Sequence, residues 1–485
     1  MLADTRTDSK PNTPWLDLRA FQKIHLVGIG GSGLSAIAAV LLEKGFDVSG
    51  SDLQANTLTD ALSKRGAKVY IGHAPEHVRG ADLVVVSSAV PPDNAEWAEA
   101  VRLEIPVTKR GPLLAALLSG AQGIAVAGSH GKTTTAGMIA HILNEAGLDP
   151  SFIIGGVVAN FGTNARAGKG PHFVLEADEY DRTFLAFHPK VSAITNVEMD
   201  HPDCYRDETD LREAFRQFAA QTSRDGFLLG FGDDPEVARL MRQVSEETGV
   251  AAQTFGFSKV CAWTAIGLRT TEFGGTEFTA ARGGSPVAEV QVSLPGDHNA
   301  LNGLAALAVA VWLGVGPQDA ARALRGFQGT HRRLEVRGMG REVAVLDDYA
   351  HHPTQIAATL RAVRQKYGGR EIWAVFQPHT YSRLKALWNG FAACFGDADH
   401  VVVLPVYPAR EAHDPTVRPD QLAREMNHPD VRFASGLSDA AALLATAVKP
   451  GDVVITLGAG DEWKVGDGLL ERLGRDLAQT SHVED

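Results

Sequence analysis

Cysteine is scarce in this chain: Cys204, Cys261 and Cys394 are the only three in 485 residues, far apart and without a Cys-x-x-Cys pair. That excludes a disulfide framework and a zinc-thiolate site, and it fits a reducing compartment. Basic residues are also in deficit, with 46 Lys and Arg against 58 Asp and Glu, a formal charge of -12 and a pI near 5.8. No global positive field is available for a nucleic-acid backbone or an acidic membrane surface, so any phosphate must be held by a local site. Long hydrophobic runs are missing too. No window approaches the roughly eighteen apolar residues that a membrane span needs. The first twenty residues are polar and contain proline, without the apolar core of a signal peptide. The sequence therefore reads as soluble and cytoplasmic with a frayed N-terminus. Short-period repeats, low-complexity tracts and charge blocks are absent, and nothing fixes the oligomeric state between monomer and dimer.

What is present is a 44% hydrophobic chain long enough for about three domains. Three times it begins an alternation of strand-like and helix-like stretches, the pattern of an α/β protein with parallel sheets wrapped by helices. The first segment has strands at 24–27, 46–49 and 83–87, a helix over 34–44, and an end near 118–120. The second opens with the loop at Gly128 and contains apolar runs at 173–175 and 191–194 that finish in polar residues. Its later part, 251–292, is rich in Thr, Gly and Val and predicts an antiparallel meander. The third follows Gly329-Thr330-His331, with apolar runs at 343–346, 372–376, 401–404 and 453–457.

Gly128-Ser129-His130-Gly131-Lys132-Thr133-Thr134-Thr135 follows the apolar run 124–127 and reads as strand, glycine turn and helix start. Backbone N–H groups of such a turn face phosphates, Lys132 adds a point charge, and a hydroxyl of Thr133 or Thr134 can ligate Mg2+. The general P-loop pattern wants a glycine where this chain has Val126, and an ordinary helix-capping turn is the bland alternative. A second loop, Gly28-Ile29-Gly30-Gly31-Ser32-Gly33, precedes a predicted helix, and Asp52 follows about twenty residues on. NAD and a UDP-sugar both present the diphosphate and ribose that such a loop and acid accept, so the motif does not choose between them. Glu176-Ala177-Asp178-Glu179 and Asn196-Val197-Glu198-Met199-Asp200-His201 end apolar strands, where parallel sheets gather ligands. A Glu, a Thr hydroxyl and phosphates satisfy Mg2+; solvated loop acids and a packing histidine are the plainer readings. Asp297 or Asn299, before the apolar helix 304–312, fits a helix cap.

Taken in order, the Gly128 loop, Glu-Ala-Asp-Glu, Thr195-Asn196 through Asp200-His201, and Gly296-Asp297-His298-Asn299-Ala300-Leu301-Asn302 resemble the marks of the Mur ligases. These are ATP-dependent amide-forming enzymes of bacterial cell-wall precursor synthesis. The loop at Gly28, Asp347-Asp348-Tyr349-Ala350-His351-His352-Pro353-Thr354 and Phe376-Gln377-Pro378-His379-Thr380-Tyr381-Ser382-Arg383 extend the resemblance over about residues 22 to 470. It implies three domains: a Rossmann-like UDP-sugar domain (1–120), a P-loop ATPase-like central domain (121–330) and a Rossmann-like amino-acid domain (331–485) that swings onto the other two. It further implies that L-alanine is joined to the lactyl carboxylate of UDP-N-acetylmuramate through an acyl phosphate, giving ADP and phosphate.

By the same resemblance Gly128, Ser129, His130, Gly131, Lys132, Thr133 and Thr134 hold the ATP phosphates, with Thr133 and Glu176 on Mg2+ and His201 on a second Mg2+. His298, Asn299 and Asn302 face the adenine side, and Arg333 reaches the terminal phosphate. Gly30, Gly31, Ser32 and Asp52 face the UDP moiety, which settles the diphosphate ambiguity in favour of the sugar nucleotide. Tyr349, His351, His352, His379 and Arg383 match positions near the substrate carboxylate or incoming amine. His352 and His379 are candidates to accept the amine proton, with simple substrate binding the preferred role for either. Two departures from the family pattern lie near the metal region: Tyr180 with Arg182, and His201-Pro202-Asp203-Cys204 in place of His-Met-Asp-Thr. Three rivals are a recycling ligase that attaches a preformed tripeptide, a nicotinamide oxidoreductase, which leaves the Lys132 loop without purpose, and a nucleotide-binding regulator without turnover.

Overall fold

The computed structural model describes residues 16–474; most of the N-terminal stretch expected to fray lies outside them. Three sheets organise the described residues. Among the described residues, those up to 122, with 185–188, form one compact unit, and 123–184 with those from 189 on form a second.

The first unit holds a five-stranded parallel sheet in the order Lys68–Ile71, Asp47–Asp52, Lys23–Val27, Leu83–Val86, Val107–Lys109. Parallel sheets are covered on both faces, which is why Leu83–Val86 is apolar at every position and wholly buried. The helix Ser32–Glu43 starts within the glycine loop and buries Leu34 to Leu41. The second strand begins at Asp47 and runs to Asp52, longer than the apolar pattern suggested.

The second unit contains a ten-stranded sheet in which Gln122–Ala127 is an interior strand flanked by Val191–Ile194 and His172–Glu176. The region expected to be an antiparallel meander is only partly so. Ala251–Gly256 pairs in parallel with Phe227–Phe231, and the antiparallel pairings involve Trp263–Thr270, Thr276–Arg282 and Ser285–Val292. The reason is the helix Pro235–Thr248, ended by left-handed Gly249: a helical crossover returns the chain parallel to the strand it left. The helix placed at 304–312 begins at Asp297. Its N-cap is Gly296, without a side-chain cap bond, and Asn299 lies inside the first turn with its Nδ2 donating to the Pro295 carbonyl at 2.7 Å. Its polar first turn breaks the apolar period that marks the rest.

The same unit carries a six-stranded sheet in the order Glu335–Gly340, Val343–Asp348, Val453–Leu457, Ile372–Phe376, His400–Val403, Val431–Phe433. The edge strand Glu335–Gly340 is antiparallel to its neighbour and has no counterpart among the expected apolar runs. Among the described residues no helix is long and apolar enough to cross a membrane.

Candidate active site

The strand Gln122–Ala127 delivers the chain to Gly128 at φ 137° and Gly131 at φ 81°. A Cβ on Gly128 would stand 2.0 Å from Thr195 Oγ1, and one on Gly131 would stand 2.7 Å from Asn302 Oδ1, so angle and space both demand glycine. The loop is braced from the Thr195–Glu198 segment. The Ser129 hydroxyl donates to the Glu198 carbonyl at 2.7 Å, and the His130 N–H donates to Asn196 Oδ1 at 2.8 Å. Gly131 then caps the helix Lys132–Glu145, whose first-turn N–H groups make an anion site.

Lys132 Nζ donates to both oxygens of Glu179 at 2.7 and 2.9 Å. Burial opposes its charge, yet Glu179, Asp178 and Glu176 hold its pKa above the ordinary lysine value. Thr133 Oγ1 lies 3.0 Å from Glu176 Oε1, and Glu176 Oε2 accepts from the Gly155 N–H at 2.6 Å. A hydroxyl and a carboxylate so placed match the hard oxygen donors that Mg2+ takes alongside phosphates. His201, at φ 55°, sets its Nε2 3.8 Å from Asp200 and 4.0 Å from Glu179. Of the departures from the family pattern, Tyr180 meets the His201 ring edge-on at 5.0 Å beneath the Arg410 guanidinium, whereas Arg182 pairs with Asp210 at 2.7 Å.

Thr134, His298, Asn299 and Asn302 line an adjoining cavity together with Phe231 and Phe255. Asn302 Nδ2 donates to Asn299 Oδ1 at 3.2 Å, and Thr135 Oγ1 donates to Asn302 Oδ1 at 3.1 Å. Burial, with Arg333 nearby, pushes His298 down to about 4, so it presents a neutral imidazole.

The turn leading into the third sheet supplies two adjacent arginines with opposite circumstances. Arg332 is fixed by Asp347 at 2.9 Å and by Glu462, both fully buried. Arg333 makes no ion pair and no side-chain hydrogen bond among the described residues; its guanidinium lies over Tyr349 at 5.3 Å and lines both cavities. Arg383 is buried against Asp200 at 2.9 Å; burial favours the neutral acid, but the charge and hydrogen bond of Arg383, with His201 and His351 nearby, together hold Asp200 well below the usual carboxylate range. Tyr349, His351 and His379 line the same cavity as Lys132, Glu176, His201 and Arg383. His352 sits beside it as the N-cap of the helix Pro353–Tyr367 and tilts against His130 with ring centroids 4.8 Å apart.

Three residues that sequence reasoning left unassigned tie this helix to the glycine loop. Glu198 accepts from His130 Nε2 at 2.8 Å and from the Thr354 hydroxyl at 2.6 Å, and Gln355 Nε2 donates to His130 Nδ1 at 2.8 Å. Burial favours the neutral acid, but these bonds hold Glu198 at about 2. Glu198 and Thr354 stand inside quoted motifs and Gln355 just beyond one, but nothing local signals these bonds, because the partners are more than 150 residues apart.

In the first unit, Gly30 N–H donates to Asp52 Oδ2 at 2.9 Å, and Gly31 caps the helix that Ser32 opens. Asp52 is thus turned into the loop. A Cβ on Gly33 would meet Arg110 Nη1 at 2.8 Å, which places a cation at the loop that the sequence reading did not assign.

Residues 23–122 match the family profile described as Mur ligase family, catalytic domain; 126–310 match the Mur ligase middle domain; and 332–460 match the Mur ligase, glutamate ligase domain. The chain belongs to the Mur ligase family. It is 42% identical over 459 residues to the UDP-N-acetylmuramate–L-alanine ligase of Geotalea uraniireducens (strain Rf4), covering 94% of this chain and 99% of the relative. Among solved structures, the UDP-N-acetylmuramate-alanine ligase of Thermotoga maritima superposes with a TM-score of 0.77 at 30% identity, covering 93% of this chain and 98% of that one. A murein peptide ligase from Psychrobacter arcticus 273-4 gives a TM-score of 0.70 at 26% identity, with 94% and 100% covered.

Proposed function

We propose that this chain is a cytoplasmic ATP-dependent ligase that joins L-alanine to the lactyl carboxylate of UDP-N-acetylmuramate, releasing ADP and phosphate. The observation that carries the reading is one cavity holding a phosphate loop with Lys132, the oxygen pair Thr133 and Glu176, and the unpaired guanidinium of Arg333. A carboxylate does not condense with an amine in neutral water. Phosphorylation of the carboxylate makes it an electrophile, and that transfer needs positioning and charge neutralisation above all. Loop N–H groups, Lys132 and Arg333 supply this on the protein side. Thr133 and Glu176 would hold Mg2+, with His201 beside a second ion; a bound metal neutralises the phosphate oxygens. His298, Asn299 and Asn302 take the nucleoside side, and Gly30, Gly31, Ser32 and Asp52 take the UDP moiety. Tyr349, His351, His352, His379 and Arg383 receive the amino acid. Residues 1–120, 121–330 and 331–485 are the corresponding domains.

Phosphate release tests the reading when ATP, Mg2+ and UDP-N-acetylmuramate are supplied with L-alanine, other amino acids or a tripeptide in turn. Release that requires both the sugar nucleotide and L-alanine supports it. Release with tripeptide alone identifies a recycling ligase, and no release in any combination removes the catalytic reading.

A further inference from the structure

Amide formation needs a group to take the proton of the amine, and the candidate histidines are separated by which ring nitrogen each has already committed. A carbonyl oxygen only accepts and a guanidinium only donates, so their contacts fix the neutral tautomers. His379 Nδ1 lies 2.9 Å from Arg383 Nη1 and must be an acceptor, which leaves the proton on Nε2. His352 Nε2 donates to the Met199 carbonyl at 3.2 Å, and its Nδ1 accepts from the Thr354 N–H at 3.3 Å, so both nitrogens are spent. His130 is likewise occupied by Gln355 and Glu198. His351 differs. Its Nδ1 must carry the proton, because it donates to the Tyr349 carbonyl at 2.8 Å, and Nε2 keeps a lone pair with no hydrogen-bond partner among the described residues. His351 lines the cavity that also holds Lys132, Glu176 and Arg383.

Resting on the ligase reading above, we propose that Nε2 of His351 is the base that accepts the proton of the attacking amine. The amine nitrogen bonds to the acyl carbon, the N–H proton passes to Nε2, and the bond from that carbon to the phosphate oxygen breaks with its electron pair leaving on phosphate. The imidazolium then returns the proton to solvent. The groups facing His351 are the Arg383 cation and the Asp200 carboxylate, with the rings of His379 and Tyr349 at 5.8 and 5.4 Å. Burial first, then Arg383, pushes the ring well below the ordinary histidine value, so the lone pair is present at neutral pH. So weak a base suits the cationic nitrogen of the tetrahedral adduct, which is more acidic than the free ammonium.

The test uses the full-length enzyme and two amines. Hydroxylamine is uncharged at neutral pH, and its adduct loses a proton readily to water, so it traps the acyl phosphate as a hydroxamate without a protein base. His351→Asn keeps a donor for the Tyr349 carbonyl, and His351→Ala removes it. Both variants are expected to lose about 100-fold or more in kcat with L-alanine, to keep hydroxamate formation within a few-fold of wild type, and to recover L-alanine turnover with added imidazole in the alanine variant. Parallel losses with both amines, or an L-alanine kcat near wild type with only KM raised, overturn the proposal. A wild-type enzyme that forms no hydroxamate overturns the acyl-phosphate reading and the proposal with it.

Discussion

Neighbouring arginines with unlike surroundings make the sharpest contrast at the scale of single residues. Arg332 pairs with two fully buried acids, Asp347 and Glu462, the latter pushed up to about 7 by burial, so Arg332→Ala breaks a buried ion pair, a loss of about 3 to 5 kcal/mol. Arg333 has no such partner among the described residues. Arg333→Ala should leave the melting temperature nearly unchanged while lowering kcat by about 10³-fold or more, as for a cation that acts on the transferred phosphoryl group. Calorimetry and steady-state phosphate release on both variants check the pair; a large fall in melting temperature for Arg333→Ala would contradict the assignment. Lys132→Ala should abolish ATP-dependent turnover while UDP-N-acetylmuramate still binds by calorimetry. Its stability should fall as well, because Glu179 is left buried without its partner, and the double variant Lys132→Met/Glu179→Gln should recover that loss without recovering activity.

Among elements, the loops and the strands that feed them are legible in the sequence because their signals are local. A glycine is required wherever φ is positive and a neighbour stands where Cβ would be, and Gly128 meets both conditions. Gly128→Ala should therefore displace the turn against Thr195 and abolish ATP binding, read by loss of nucleotide-dependent thermal stabilisation. The parallel pairing of Ala251–Gly256 was hidden because a composition rich in Thr, Gly and Val gives no strand direction; the crossover helix before it decides. The start of the helix at Asp297 was hidden because Asn299 and Asn302 serve a cavity and a hydrogen-bond chain rather than the apolar face. The site divides in the same way. Lys132, Thr133 and Glu176 stand in motifs, whereas the pairing of Glu179 with Lys132 and the histidine tautomers follow from contacts between distant segments.

Acid sensitivity belongs to the whole molecule. Glu96 is fully buried; burial favours its neutral form, but hydrogen bonds from His25, Ser51 and His77 win and hold it at about 2. Its folded pKa lies below the unfolded value of 4.5, so the stability it contributes is complete above that value and is lost as pH falls toward 2. The amount is on the order of 3 kcal/mol. Glu96→Gln should flatten the acid limb of stability against pH in urea titrations, and an unchanged slope would refute the assignment. The tie from Glu198 and Gln355 to His130 joins the second sheet's loop to a helix of the third. Glu198→Gln combined with Thr354→Val should speed amide exchange at residues 352–357 and lower kcat together.

The contact between Lys132 and Glu179 also bears on selectivity. With its ammonium already matched by an internal carboxylate, Lys132 is not a naked countercharge for stray inorganic anions. Entry is an exchange in which a newcomer must replace the resident acid. A chain of linked phosphates that engages the turn's amides at several points at once does so far better than a solitary orthophosphate.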